Sequence, residues 1–142
     1  DWSEDALRVC RQNIRRCELT AQVSAARANA LENAPASLWD FDLIVCNPPY
    51  IPTGDLAGLD HSVRDYEPMM ALDGGADGLD FYRSVTSGWK SALRPGGKLA
   101  FEVGYDQAPA VEYIMAEQGY EEIQTFQDPG GHWRVVEGVL NE

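Results

Sequence analysis

The apolar run Phe41–Cys46 (FDLIVC) passes at once into Asn47-Pro48-Pro49-Tyr50. A run of that length and composition reads as a short buried strand. Two consecutive imino acids cannot continue it. Each proline fixes φ and removes an N–H, and each biases the residue before it toward extended conformations. The chain must therefore leave the sheet at Asn47, in a stiff turn that shows carbonyls rather than donors. In an open α/β sheet the carboxyl ends of the strands are where ligands bind.

The residue types in this turn suit the recognition of an NH₂ group. An amide or aniline-like nitrogen is a poor nucleophile because its lone pair is delocalised. An acceptor on each N–H orients the group and aims the lone pair at an electrophile. The side-chain oxygen of Asn47 can be one acceptor and the carbonyl of Pro48 the other, while Tyr50 offers a flat face for a planar group. The plainer alternative is a Pro-Pro turn that only ends a strand. The tyrosine and the preceding strand favour a site. The tetrapeptide resembles the signature of amino-methyltransferases that use S-adenosyl-L-methionine and act on glutamine amides or on the exocyclic amines of adenine and cytosine.

Around this point the chain alternates helical and extended patterns. Ser3 is placed to cap a helix over 3–17, with Glu4 and Asp5 in its first turn and Ala6, Leu7, Cys10, Ile14 and Cys17 at helical spacing. Asp1, just before it, could bind a ribose hydroxyl pair or be a solvated terminus or extra cap. The stretch 22–27 is a weak strand candidate. Residues 29–40 read as a loop or short helical turn. The segment 51–76 lacks periodicity and carries several glycines and prolines, which suggests a substrate-side lid. Asp77 is expected to cap a helix over 78–93, stopped by Arg94-Pro95-Gly96-Gly97. Leu99, Phe101 and Val103 alternate on a strand over 98–103. Glu102 there needs a partner or a position near an edge. A helix over 107–118 and strands at 121–127 and 133–140, around Asp128-Pro129-Gly130-Gly131, complete the pattern as an antiparallel pair.

Composition narrows the partners. A net charge of −12 argues against direct contact with nucleic acid, and the arginines at 8, 11, 15 and 16 read as a solvated helix face. The three cysteines match no disulfide or metal spacing, so reduced thiols and a cytoplasmic location are expected. Cys46 reads as a small core residue. No stretch is apolar enough to span a membrane, and no metal is expected.

The whole chain resembles the catalytic domain of the protein-(glutamine-N5) methyltransferases that modify peptide-chain release factors. The stretches carrying this are Asp1-Trp2-Ser3 with Asn13, the run from Phe41 to Ile51, Tyr66-Glu67-Pro68, Gly74-Gly75-Ala76-Asp77-Gly78-Leu79, Phe81-Tyr82-Arg83, Pro95-Gly96-Gly97, Glu102-Val103-Gly104 with Gln107, and Arg134-Val135-Val136. The resemblance implies a class I, Rossmann-like α/β sheet, mostly parallel with an antiparallel strand near its C-terminus. It implies S-adenosyl-L-methionine as cofactor and a release factor as protein substrate. It makes Asp1 the ribose ligand, sets Asn29 and Ala30 at the adenine and Asn47 near the methyl, and gives 47–50 the substrate glutamine. Asn29 departs from an aspartate common in the family, and His132-Trp133 from a polar pair. The Gly-rich loop that the family places upstream of the acidic residue is not in this sequence. Residues 1–142 are therefore expected to be the C-terminal part of one catalytic domain, with the first strands missing and weak cofactor binding alone. The rival readings are an adenine-N6 methyltransferase and an inactive fragment kept as a binding module.

Overall fold

A computed structural model describes residues 1–141. The elements, in order, are α1 (Glu4–Arg16), β1 (Phe41–Cys46), the short helix α2 (His61–Arg64), α3 (Asp80–Gly88), β2 (Leu93–Glu102), α4 (Ala108–Glu117), β3 (Glu121–Gln127) and β4 (Trp133–Leu140). The four strands form one sheet in the order β1-β2-β4-β3. β1 lies parallel to β2, and the other two pairings are antiparallel. The mixed α/β sheet with its C-terminal antiparallel pair is the architecture expected from the sequence.

β2 organises the sheet because it is paired on both sides. Leu99, Phe101 and Val103 alternate onto one face and are completely buried. Tyr82 and Val85 of α3 and Ala108, Val111 and Met115 of α4 join the buried cluster on that face, which Val136 and Leu140 of the neighbouring β4 extend. The Tyr82 ring meets Phe101 edge-on, with centroids 5.1 Å apart, a favourable quadrupole geometry. Ile44 and Cys46 of β1 pair with Leu99 and Phe101 and pack against the same cluster. The opposite face is more polar, with Lys98 paired to Glu137 at 3.1 Å. Glu102 ends β2 exposed, so its position near the edge resolves its burial problem.

Several boundaries differ from expectation. β1, expected as a buried strand, has one face open: Val45 is 72% exposed, and Phe41 and Leu43 are also exposed. The stretch 22–27 is not a strand. Its neighbour is the backbone of Asp1, whose N–H donates to the Ala26 carbonyl and whose carbonyl accepts from the Ala28 N–H, both at 3.1 Å. The helix expected over 78–93 begins only at Asp80, because Gly78 has φ +77°, which a right-handed helix cannot contain. It ends at Gly88, whose carbonyl accepts from Ala34 N–H at 3.0 Å. β2 starts at Leu93, earlier than expected, and absorbs Pro95-Gly96-Gly97 as a register shift between Phe41↔Leu93 and Leu43↔Lys98. The segment 51–76 is not structureless: it holds α2 and the 3₁₀ turns Thr53–Gly58 and Met69–Ala71. α1 has the predicted cap, with Ser3 Oγ accepting from Ala6 N–H at 3.3 Å, but it buries only Leu7. Among the described residues, no helix is long and apolar enough to cross a membrane.

Two outcomes follow from this packing. Phe101→Ala should cost about 3–5 kcal/mol in denaturant unfolding, the range for truncating a buried phenylalanine, while Val45→Thr at the open edge should move stability by about 0.5 kcal/mol or less. The second concerns acid. Asp77 accepts from Leu79 N–H just before α3 and pairs with Arg83. The Arg83 hydrogen bond lowers its carboxyl from 3.8 to about 2. A depressed folded-state pKa contributes stability that is full above the ordinary carboxylate value and is lost as pH falls through the folded one. The unfolding midpoint of Asp77→Asn should therefore change less than that of the wild type as pH is lowered from 3.8 to about 2.

Candidate active site

β1 delivers its last residue, Cys46, opposite Phe101 of β2. The 47–50 turn therefore leaves the sheet beside the C-terminal end of the central strand. Asn47 is exposed, Pro48 is buried, and Pro49 and Tyr50 are half-buried. Among the described residues, no hydrogen bond is made to the Asn47 side chain or to the Pro48 carbonyl. The two acceptor groups singled out in the sequence thus retain their capacity, in a turn that the prolines stiffen.

The far side of the turn is firmly held. Ile51 bridges Asp73 in parallel fashion: Ile51 N–H donates to the Leu72 carbonyl at 3.0 Å and Gly74 N–H to the Ile51 carbonyl at 2.8 Å. Gly74 runs so close that a Cβ there would lie 2.8 Å from Tyr50 Cα and 2.9 Å from Gly78 Cα. Asp73 accepts from Thr53 Oγ1 at 2.7 Å and from Gly75 N–H at 3.0 Å, and these bonds hold its carboxyl below the usual range. The Tyr50 ring packs against the core cluster and sits beside Gly104 at the end of β2. The side chain of Gln107, at the start of α4, reaches the Tyr50 carbonyl.

The buried ionisable groups near the turn are kept neutral. Burial pushes the Cys46 thiol up to about 11, which suits a core residue and not a nucleophile. Burial, and after it the proximity of Tyr50, Cys46 and Glu102, raises the Tyr82 hydroxyl. Tyr82 therefore acts as a donor, to the Glu102 carbonyl at 3.0 Å.

The residues expected at the cofactor form a second group. Asp1 Oδ1 accepts from Ser3 N–H at 2.8 Å, and its other oxygen has no partner among the described residues. Its backbone bonds to Ala26 and Ala28 set it beside the chain that leads into Asn29. The Asn29 side chain is engaged in its own turn, accepting from Leu31 N–H at 3.0 Å and donating to Glu32 at 3.2 Å. Ala30 is half-buried against the same core as Cys46 and Tyr50. No hydrogen bond among the described residues joins Asp1 or Asn29 to Asn47. Two open grooves lie away from the turn. One, of about 610 Å³, runs between α4 and the β3–β4 pair, and the other, of about 740 Å³, along α1.

By sequence, Gly74 falls within the expected substrate-side lid and Gln107 at the start of an expected helix. Both are supports of the turn. The signal for Gly74 was there in the Gly74-Gly75 pair after Asp73, but only the tertiary contact with Tyr50 shows its use. Gly74→Ala should destabilise by about 1–3 kcal/mol, the cost of inserting a methyl where backbone cannot yield. Faster amide exchange at Ile51 than at the core residue Phe101 would locate the damage, and an unchanged unfolding midpoint would contradict the close approach.

No protein-family model matches the chain. It is 42% identical over 139 residues to the release factor glutamine methyltransferase of Clostridium acetobutylicum, covering 98% of this chain and 49% of that protein. It is 52% identical over 100 residues to the protein of the same name from Geobacter sulfurreducens, covering 70% of this chain and 35% of that protein. The chain thus spans about half the length, or less, of these curated relatives. Among solved structures, a methyltransferase from Pyrococcus furiosus superposes with a TM-score of 0.65 at 19% identity, over 100% of this chain and 61% of that one. At that identity the likeness concerns the fold.

Proposed function

We propose, from the premise that the chain belongs to the release factor glutamine methyltransferase family, that it serves methyl transfer from S-adenosyl-L-methionine to the side-chain amide nitrogen of a glutamine in a peptide-chain release factor. One observation supports this above the others. At the carboxyl end of β1 the 47–50 turn carries an exposed Asn47 and a Pro48 carbonyl, and neither the Asn47 side chain nor that carbonyl has a hydrogen-bond partner among the described residues.

The chain's own residues suit part of the cofactor. Asp1 keeps one carboxylate oxygen for a ribose hydroxyl pair, and Ala30 is a small residue beside Asn29 at the adenine position. Asn29 has its oxygen and its amide already engaged, though an amide oxygen has a second lone pair. When bound, S-adenosyl-L-methionine supplies an electrophilic methyl on a sulfonium. Asn47 and the Pro48 carbonyl accept the two N–H groups of the substrate amide and fix its plane. Tyr50 flanks that plane, and the prolines keep both acceptors from turning away. Catalysis in this scheme is orientation plus acceptors for a nitrogen that becomes cationic. The proton leaves after the nitrogen has become positive, so no strongly shifted base is required.

Asn47→Ala should lower turnover on a release factor by roughly 10²–10³-fold, the loss seen for one preorganised hydrogen-bonding group, with the unfolding midpoint unchanged. The assay is transfer of labelled methyl in the full-length protein. Near-wild-type turnover would remove Asn47 from the site. Labelling of oligonucleotides with none of a release factor would replace the protein substrate by a nucleic acid base.

A further inference from the structure

The amide of Gln107 meets four hydrogen-bonding groups at the C-terminal edge of the sheet. Nε2 donates to the Tyr50 carbonyl at 2.9 Å and to the Gly78 carbonyl at 3.3 Å. Oε1 accepts from the Gly104 N–H at 2.9 Å and from the Tyr82 hydroxyl at 3.3 Å. A primary amide has two donors and two acceptor sites; both donors and one acceptor site are matched outright, and the second acceptor site shares the single Tyr82 proton with the nearer Glu102 carbonyl. The partners also decide which way the amide points. Two carbonyls can only accept and the Gly104 N–H can only donate, so a flipped amide would set like against like.

The peptide unit between Tyr50 and Ile51 is the point where this matters. Its N–H donates to the Leu72 carbonyl, and its carbonyl accepts from Gln107. The unit is gripped on both polar groups, from two different parts of the chain. Among the described residues, no other donor reaches the Tyr50 carbonyl. The prolines already fix φ at 48 and 49. The orientation of Tyr50, and with it the registration of the whole turn against the end of β2, is what the remaining bonds must set.

We propose that Gln107 is a positioning residue for the substrate-side turn: by holding the Tyr50 carbonyl it fixes where Asn47, Pro48 and the Tyr50 ring present themselves to the substrate amide. This rests on the assignment of 47–50 to that amide. Gln107 touches no substrate and acts through the turn. Its effect belongs to turnover and not to cofactor affinity, because Asp1 and Asn29 are held by other contacts.

A glutamate separates positioning from packing. Gln107→Glu keeps the size and shape of the side chain. As a carboxylate it can only accept, so the Tyr50 and Gly78 carbonyls lose their donors and face a negative charge. When protonated it regains one donor. In the full-length protein we expect Gln107→Glu to lower kcat on a release factor by roughly 10- to 100-fold at neutral pH, the scale of a small misplacement of reacting groups. Affinity for S-adenosyl-L-methionine, read by calorimetry, should stay within about twofold, since misplacement acts on the reacting geometry. The ratio of variant to wild-type kcat should rise as pH is lowered. Exchange of the Ile51 amide should speed up while that of Phe101 does not. Wild-type kcat with unchanged Ile51 exchange would overturn the inference. So would a loss of kcat that is flat with pH and accompanied by equal acceleration at Ile51 and Phe101, which is what simple destabilisation gives. Should Gln107→Glu fail to fold, Gln107→Asn, which keeps the amide but is one methylene short of the Tyr50 carbonyl, takes its place with the kcat and exchange readouts deciding. Absence of methyl transfer by the wild-type protein would sink the functional reading, and unchanged exchange at Ile51 would sink this one.

Discussion

The pairing of β2 on both of its edges is the constraint on which the rest depends. A strand that is hydrogen-bonded to β1 on one side and β4 on the other can bury Leu99, Phe101 and Val103 without leaving backbone groups unsatisfied. Both long C-terminal helical segments then have one apolar surface to cover. Tyr82 shows the coupling. Its ring packs on Phe101, and its hydroxyl satisfies the Glu102 carbonyl just where β2 stops. The burial that stabilises the sheet thereby also defines the edge at which the candidate site stands.

At that edge, rigidity comes from shape and hydrogen bonds more than from charge. Two prolines stiffen the turn, a glycine at 74 lets a second strand of backbone run against Tyr50, and an amide at 107 gathers three loops. Two ionisable groups beside it, Cys46 and Tyr82, are held neutral by burial, and the Asp73 carboxyl is tied up by Thr53 and Gly75. Such a site can orient a neutral group such as an amide through fixed hydrogen-bonding groups. That agrees with chemistry in which the nucleophile is a nitrogen placed correctly and not one deprotonated beforehand.

The outer strands behave differently. β1 exposes Val45 and Leu43 on one face, and Cys10 of α1 and Cys17 just after it are exposed. These residues have the periodicity of buried elements but not the burial. Periodicity reports which face of an element is apolar; burial depends on whether another element lies against that face.

The sequence by itself determined the strand Phe41–Cys46, its abrupt end at two prolines, the Ser3 cap of α1, the closing β3–β4 pair and the alternation of Leu99, Phe101 and Val103. Each is a local consequence of imino-acid geometry, capping chemistry or side-chain period, readable within a few residues. It also carried the family resemblance through the spacing of its motifs. Only the tertiary structure decided that Gly78 delays α3, that the backbone of Asp1 lies beside Ala26 and Ala28, that Gly74 lies against Tyr50, and that the amide of Gln107 spans four partners. Gln107 is separated from Tyr50 by 57 residues. A hydrogen bond over such a distance along the chain has no local pattern, because its partners are backbone groups that every residue type possesses.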